Sequence, residues 1–270
     1  MRKVLSSALP TLPFLVLFLL GACTTPDRSP EAGQVDSAPA GETEGEVHWG
    51  YAGEVGPEAW GRLSPEFAIC DAGTRQSPID LAEPVREELP DPVFDYQPSP
   101  LRIVNNRHTL QVEYAPGSTV TLGDTTYQLL QFHFHTPSEH RIEGGELPME
   151  LHLVHRGPAG GLAVVGVMVE AGTENSAFAP MWNHLPTAAG AENNVPSVTV
   201  DAERLLPEAR SSYRYPGSLT TPPCTEGVRW IVLSEPIEMS AAQIEAMRSI
   251  LTTSNRPVQP LGNRTLQLDS

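Results

Sequence analysis

Short apolar runs separated by turn signals dominate the middle of the chain. Leu110–Tyr114, Thr119–Leu122, Tyr127–His135, Met149–His155, Leu162–Glu170 and Val228–Leu233 read as strands. Gly123-Asp124, Gly144-Gly145 and Gly157-Pro158 mark turns between them. Leu162–Glu170 is almost continuously apolar, as expected of a central strand covered on both faces. Helical patterns are few. Ser240 followed by Gln243 has the form of a capping box opening a helix to about Leu251, and a shorter helix is expected around Ala177–His184. No internal repeat interrupts this order. The pattern predicts one mainly-β domain with a large sheet and a few peripheral helices.

The start of the chain follows a different pattern. Arg2 and Lys3 precede an apolar run, Phe14 to Leu20, too short to span a bilayer. Leu20-Gly21-Ala22-Cys23 follows, so residues 1–22 resemble a bacterial secretory signal ending in a lipobox. That resemblance implies cleavage before Cys23 and a lipid on it; an ordinary signal peptide with an incidental cysteine is the alternative. Residues 23–46 then hold almost no large apolar side chain and read as a solvated tether. The folded domain is expected over 47–270. Export to the periplasm or cell envelope follows, and Thr24 after the cysteine, rather than Asp, resembles outer-membrane lipoproteins.

Charge and cysteines narrow the partners. The net charge is −16, and loss of Arg2 and Lys3 makes it more negative. Such acidity disfavours nucleic acid. With Cys23 modified, Cys70 and Cys224 remain as a pair in an exported chain, where a disulfide is permitted; two reduced thiols are the alternative. A bridge would close a loop of about 150 residues, for which chain entropy gives roughly 5 kcal/mol.

The decisive chemistry lies in two strands. Alternate residues of a strand share a face. Gln131, His133 and His135 therefore face one way, and Phe132 and Phe134 the other. On the next run Glu150, His152 and Val154 share a face, opposed by Leu151 and Leu153. If the strands are neighbours, three imidazoles converge in the arrangement of a catalytic zinc, three protein ligands with a fourth position open. Gln131 and Glu150 each precede a histidine by two residues. Metal-bound imidazoles donate their second N–H to such partners.

With these segments, the chain resembles an α-class carbonic anhydrase of the bacterial, exported type. The resemblance also rests on His48-Trp49-Gly50-Tyr51, Gln76-Ser77-Pro78-Ile79, Asn105–Val112, Ser138-Glu139-His140, Leu162–Gly166, Tyr215–Pro223, Val228-Arg229-Trp230 and Arg256–Arg264. It implies a single domain on a large, mostly antiparallel central sheet. It implies Zn2+ held by His133, His135 and His152. Zinc lowers the pKa of bound water to about 7, an effect for which this family is the standard example, giving a hydroxide that attacks carbon dioxide to form bicarbonate. Thr220 would accept from that hydroxide and donate to Glu139. His108 would pass the released proton to buffer. Tyr51 and Asn106 would order water. Val154, Val164, Leu219, Thr221, Val228 and Trp230 would line the substrate site. Arg107 is a departure, since the family often has glycine before the shuttle histidine; a long cation there bears on the charge and swing of His108. His48, His140, His155 and His184 fit no ligand pattern and read as structural. Monomer and homodimer are both compatible with the sequence.

Two other readings compete. His133-x-His135-x-x-x-Glu139, with Gly145 beyond it, resembles the first half of a cupin metal motif, in which Glu139 would be a ligand. That reading leaves Gln76-Ser77-Pro78-Ile79, Leu219-Thr220-Thr221-Pro222 and Glu150 without a role. A surface-displayed binding module with this fold but no turnover is the second; the intact triad, Thr220 and Glu139 argue against it.

Overall fold

The computed structural model describes residues 47–269. The expected signal peptide, lipidated Cys23 and tether lie outside the described residues. Fourteen strands follow in chain order: β1 Asp80–Leu81, β2 Val85–Glu87, β3 Val93–Asp95, β4 Ser99–Asn105, β5 Leu110–Glu113, β6 Thr119–Leu122, β7 Thr125–His135, β8 Arg141–Ile142, β9 Met149–Arg156, β10 Leu162–Ala171, β11 Glu192–Val200, β12 Ser212–Ser218, β13 Glu226–Met239 and β14 Gln267–Asp269. Twelve of them form one sheet, ordered β11-β4-β5-β7-β9-β10-β13-β12-β14-β2 with β6 and β3 branching from β7. Most pairs are antiparallel, as expected. The β10–β13 and β14–β2 pairs run parallel and make the sheet mixed.

Two apolar layers sandwich its centre. Phe132, Phe134, Leu151, Leu153, Val165 and Val167 bury into one core. Val164, Met168, Tyr215, Trp230 and Val232 bury into another, with Ile79 and Leu81. Neighbouring residues of β10 thus enter different cores, which is why that strand is apolar throughout. On β7 and β9 the alternation is polar against apolar, so Phe132 and Leu151 anchor the strands from behind while the histidines face the opposite side.

The helices are short. α1 Trp60–Leu63 and α2 Ile69–Ala72 are single turns near the start of the described chain. α3 Ala179–Trp182 occupies part of the segment expected to be helical. α4 Ala241–Leu251 opens on the expected capping box: Ser240 Oγ accepts from Gln243 N at 3.2 Å, and Gln243 Oε1 accepts from Ser240 N at 3.1 Å. Ile244, Met247 and Leu251 bury one face of it. Among the described residues no helix is long and apolar enough to cross a membrane.

A disulfide joins Cys70 of α2 to Cys224, 154 residues later. Both cysteines are buried in a small cluster with Trp60.

Candidate metal centre

Register brings the three histidines together. His133 stands directly opposite His152 across the β7–β9 pair, and His135 opposite Glu150. The ring centroids lie 5.0, 5.3 and 4.6 Å apart for the 133–135, 133–152 and 135–152 pairs. One nitrogen of each ring falls within 4.8 Å of the others.

The remaining nitrogen of each ring is already bonded. His133 Nδ1 meets Gln131 Oε1 at 2.8 Å. His135 Nδ1 meets the Ser254 carbonyl at 2.5 Å. His152 Nε2 meets Glu150 Oε1 at 2.8 Å. Each acceptor requires an N–H on that side of its ring, which leaves a lone pair on Nε2 of His133, Nε2 of His135 and Nδ1 of His152. Those lone pairs converge. Burial holds all three imidazoles below their ordinary pKa, His135 to about 4, so they are neutral donors at neutral pH.

The site fits a divalent cation on a separate observation. His135 Nε2 and Glu139 Oε2 are buried with no hydrogen-bond partner among the described residues. Burying polar atoms unpaired is costly. A cation beside the three lone pairs would satisfy His135 directly and favour an ionised Glu139, whose carboxyl is pushed up to about 7, chiefly by burial and against the lowering pull of His152 and the Arg256 N–H. Neutral nitrogen donors with one open side suit zinc.

Glu150 supports the centre from behind. Its Oε1 also meets His140 Nδ1 at 2.7 Å, and its Oε2 accepts from the backbone N–H of Glu139 and His140 at 2.9 and 2.8 Å. Burial favours the neutral acid, but His140 and His152 pull Glu150 well below the usual carboxylate range. From His140 the chain runs on: Nε2 to Tyr215 Oη at 2.7 Å, then Tyr215 Oη to Ser77 Oγ at 2.9 Å. His140, read from sequence as merely structural, is therefore joined through Glu150 to His152 of the triad. Period-two spacing could not find it, because it sits in a turn and reaches Glu150 through space. Gly166 of β10 stands beside His152 in the ladder, and a Cβ there would come within 3.0 Å of Glu150 Oε1.

A cavity of about 160 Å³ opens from the triad. Val154, Val164, Leu219 and Trp230 form an apolar wall, while Thr220, Thr221, Tyr51, Asn106 and His108 also line it. Val228 does not reach the cavity; it packs beneath the wall with Val164 and Trp230. Trp49, Thr109 and Gln111 line the cavity and were not foreseen. His108 lies against Trp49 with ring centroids 3.6 Å apart and planes within 7°. Glu139 Oε1 accepts from Arg256 N at 2.8 Å, and Thr220 lies near enough to lower the carboxyl's pKa. In this setting Glu139 is held by the Arg256 N–H beside Thr220, and Glu150 supports two imidazoles, roles that the cupin reading leaves empty.

Comparison with known proteins agrees with this geometry. The profile of the family described as eukaryotic-type carbonic anhydrase matches residues 55–269. A carbonic anhydrase of Neisseria gonorrhoeae is 43% identical over 259 residues, covering 95% of this chain and 97% of that protein. One from Nostoc is 45% identical over 223 residues, covering 81% and 84%. The α-carbonic anhydrase of Thermovibrio ammonificans, solved with the inhibitor sulfanilamide, superposes with a TM-score of 0.80 at 44% identity, covering 83% of this chain and 100% of that one. The chain with this histidine centre belongs to the eukaryotic-type, or α-class, carbonic anhydrase family.

Proposed function

We propose that the protein catalyses reversible hydration of carbon dioxide to bicarbonate and a proton, with zinc held by His133 Nε2, His135 Nε2 and His152 Nδ1. The observation that carries this reading is the convergence of three lone pairs whose opposite ring nitrogens are each fixed by an acceptor. Zinc in such a site supplies Lewis acidity and lowers the pKa of water to about 7.

The rest is done by side chains. Thr220 has one hydroxyl proton. Donating it to Glu139 leaves the Thr220 oxygen able only to accept, so it orients whatever hydroxyl group faces it. Arg256 N keeps Glu139 in place for that task. Val154, Val164, Leu219 and Trp230 offer an apolar linear molecule a dry wall next to the polar side of the cavity. Tyr51 and Asn106 order the intervening water. His108, at the rim, accepts a proton at a ring nitrogen and releases it to buffer. Lipid anchoring at Cys23 and residence in the cell envelope complete the proposal, supported by the lipobox pattern and the tether composition.

The test is metal analysis with a hydration assay on purified protein. Bound zinc, fast hydration and loss of both on chelation are expected. His133→Ala, His135→Ala and His152→Ala should each lose most of the metal. Iron or manganese with no hydration, or full zinc with no turnover, would overturn the reading.

A further inference from the structure

The turn from Asn105 to Thr109 forms the rim where His108 sits. Asn106 Oδ1 accepts from the backbone N–H of His108 at 3.1 Å and of Thr109 at 2.8 Å; Asn105 Oδ1 accepts from Arg107 N at 3.1 Å. These bonds hold Arg107 at φ 77°, a left-handed conformation that costs a long side chain and costs glycine nothing. Glycine would suit the backbone here, yet the chain places an arginine next to His108 in the turn.

That guanidinium is exposed. It extends over the Gly190 turn, with Nη2 3.8 Å from where a Cβ on Gly190 would stand. Among the described residues no ion pair or side-chain hydrogen bond engages it, and the acids on the adjoining strands are occupied. Both Glu192 oxygens bind Arg102, at 2.7 and 3.2 Å, and Glu113 accepts from Gln111 at 2.5 Å. Arg107 and His108 share one turn with Cα atoms about 3.8 Å apart, and the field of an exposed charge reaches over a Debye length of roughly 10 Å at 0.1 M salt.

A proton leaving His108 must be taken by a base in solution. Many bases that work near neutral pH are oxyanions, and a chain of net charge −16 repels them at long range. A free guanidinium offers two parallel N–H donors that match two phosphate oxygens. We propose that Arg107 docks oxyanion proton acceptors beside His108. In the step, an imidazolium N–H bond breaks and an O–H bond forms on hydrogen phosphate, giving neutral imidazole and dihydrogen phosphate. This rests on the reading of His108 as the shuttle.

The test measures carbon dioxide hydration against buffer concentration, with phosphate and with imidazole, at low ionic strength. Arg107→Gln keeps the backbone cost but removes the charge. It should raise the apparent KM for phosphate about three- to fivefold, the range of an exposed charge contact, and not that for imidazole. Arg107→Lys keeps the charge but loses the paired donors, so its apparent KM for phosphate should fall between those of wild type and Arg107→Gln. The phosphate advantage should fade between roughly 0.01 M and 1 M salt. Equal changes in both buffers, or no change in either, would overturn the docking role. His108→Ala separates the two readings. If it turns over like wild type in dilute buffer, the shuttle reading fails. If it is impaired while Arg107→Gln treats both buffers alike, only the docking proposal falls.

Discussion

Glu150 and His152 stand two residues apart on one strand, and Oε1 of the first accepts from Nε2 of the second at 2.8 Å. The same oxygen holds His140, so one atom fixes two imidazoles. Glu150→Gln keeps the shape but loses the charge and puts an amide where an acceptor is needed. We expect zinc to bind 10- to 100-fold more weakly, in the range typical of such supporting partners. Competition with a fluorescent chelator reads this directly. An unchanged dissociation constant would mean that Glu150 is packing alone.

Thr220→Ala should separate binding from turnover. The residue lines the cavity beside Glu139 but donates nothing to the three nitrogens. Zinc content should stay at the wild-type level while turnover falls by about 10²-fold, a cost consistent with lost orientation. Parallel loss of metal and activity would refute the assignment.

His155 supplies a pH dependence outside the centre. Its Nε2 meets Tyr96 Oη at 2.7 Å, and burial pulls its pKa from 6.5 to about 3. Between those values the unfolded chain binds a proton that the folded chain refuses, so stability falls as pH drops below 6.5. From pH 7.5 to pH 5 this one group removes about 2 kcal/mol. Urea unfolding of wild type and His155→Gln at both pH values should show a smaller acid loss in the variant. Equal losses would place the acid sensitivity elsewhere.

Reduction of Cys70–Cys224 should cost about 2–5 kcal/mol of stability. It should also disturb the cavity, because Cys224 N donates to Thr221 O at 2.8 Å and Cys224 O accepts from Gln76 Nε2 at 3.1 Å. Denaturation and hydration assays on the Cys70→Ser/Cys224→Ser variant check both effects. Intact turnover would show that the Thr220-Thr221 segment holds its place without the bridge.

The sequence made legible what depends on local period. β7, β9 and β10 announce themselves by alternation or by unbroken apolarity, and α4 by its cap. The histidine cluster was legible for the same reason, since its members on β7 and two of the acceptors lie two residues apart on strands. β4, β11 and β12 were missed. β11 is an edge strand with a mixed, largely exposed pattern and a proline at 196, so no period stands out. β4 alternates buried and outward positions throughout, but polar Ser99 and Asn105 take buried positions and Pro100 and Val104 outward ones, so its hydropathy does not alternate. The Ser254 carbonyl that orients His135 carries no side-chain signal at all. Nor could spacing reveal that position 107 needs a left-handed backbone, the physical reason glycine suits it.

Ser254 and Arg256 reach back over 119 and 117 residues to hold His135 and Glu139. Both lie beyond α4, later in the chain than all three histidines. A chain that has emerged only to the end of α4 possesses all three histidines of the triad, yet it lacks the acceptor that fixes one tautomer and the amide that aims the carboxylate. Tight capture of the proposed metal thus waits for the segment that follows α4. A chain clipped short of Ser254 would be recognisable by its weak hold on zinc, and cells that discard poorly metallated chains would thereby discard truncated ones.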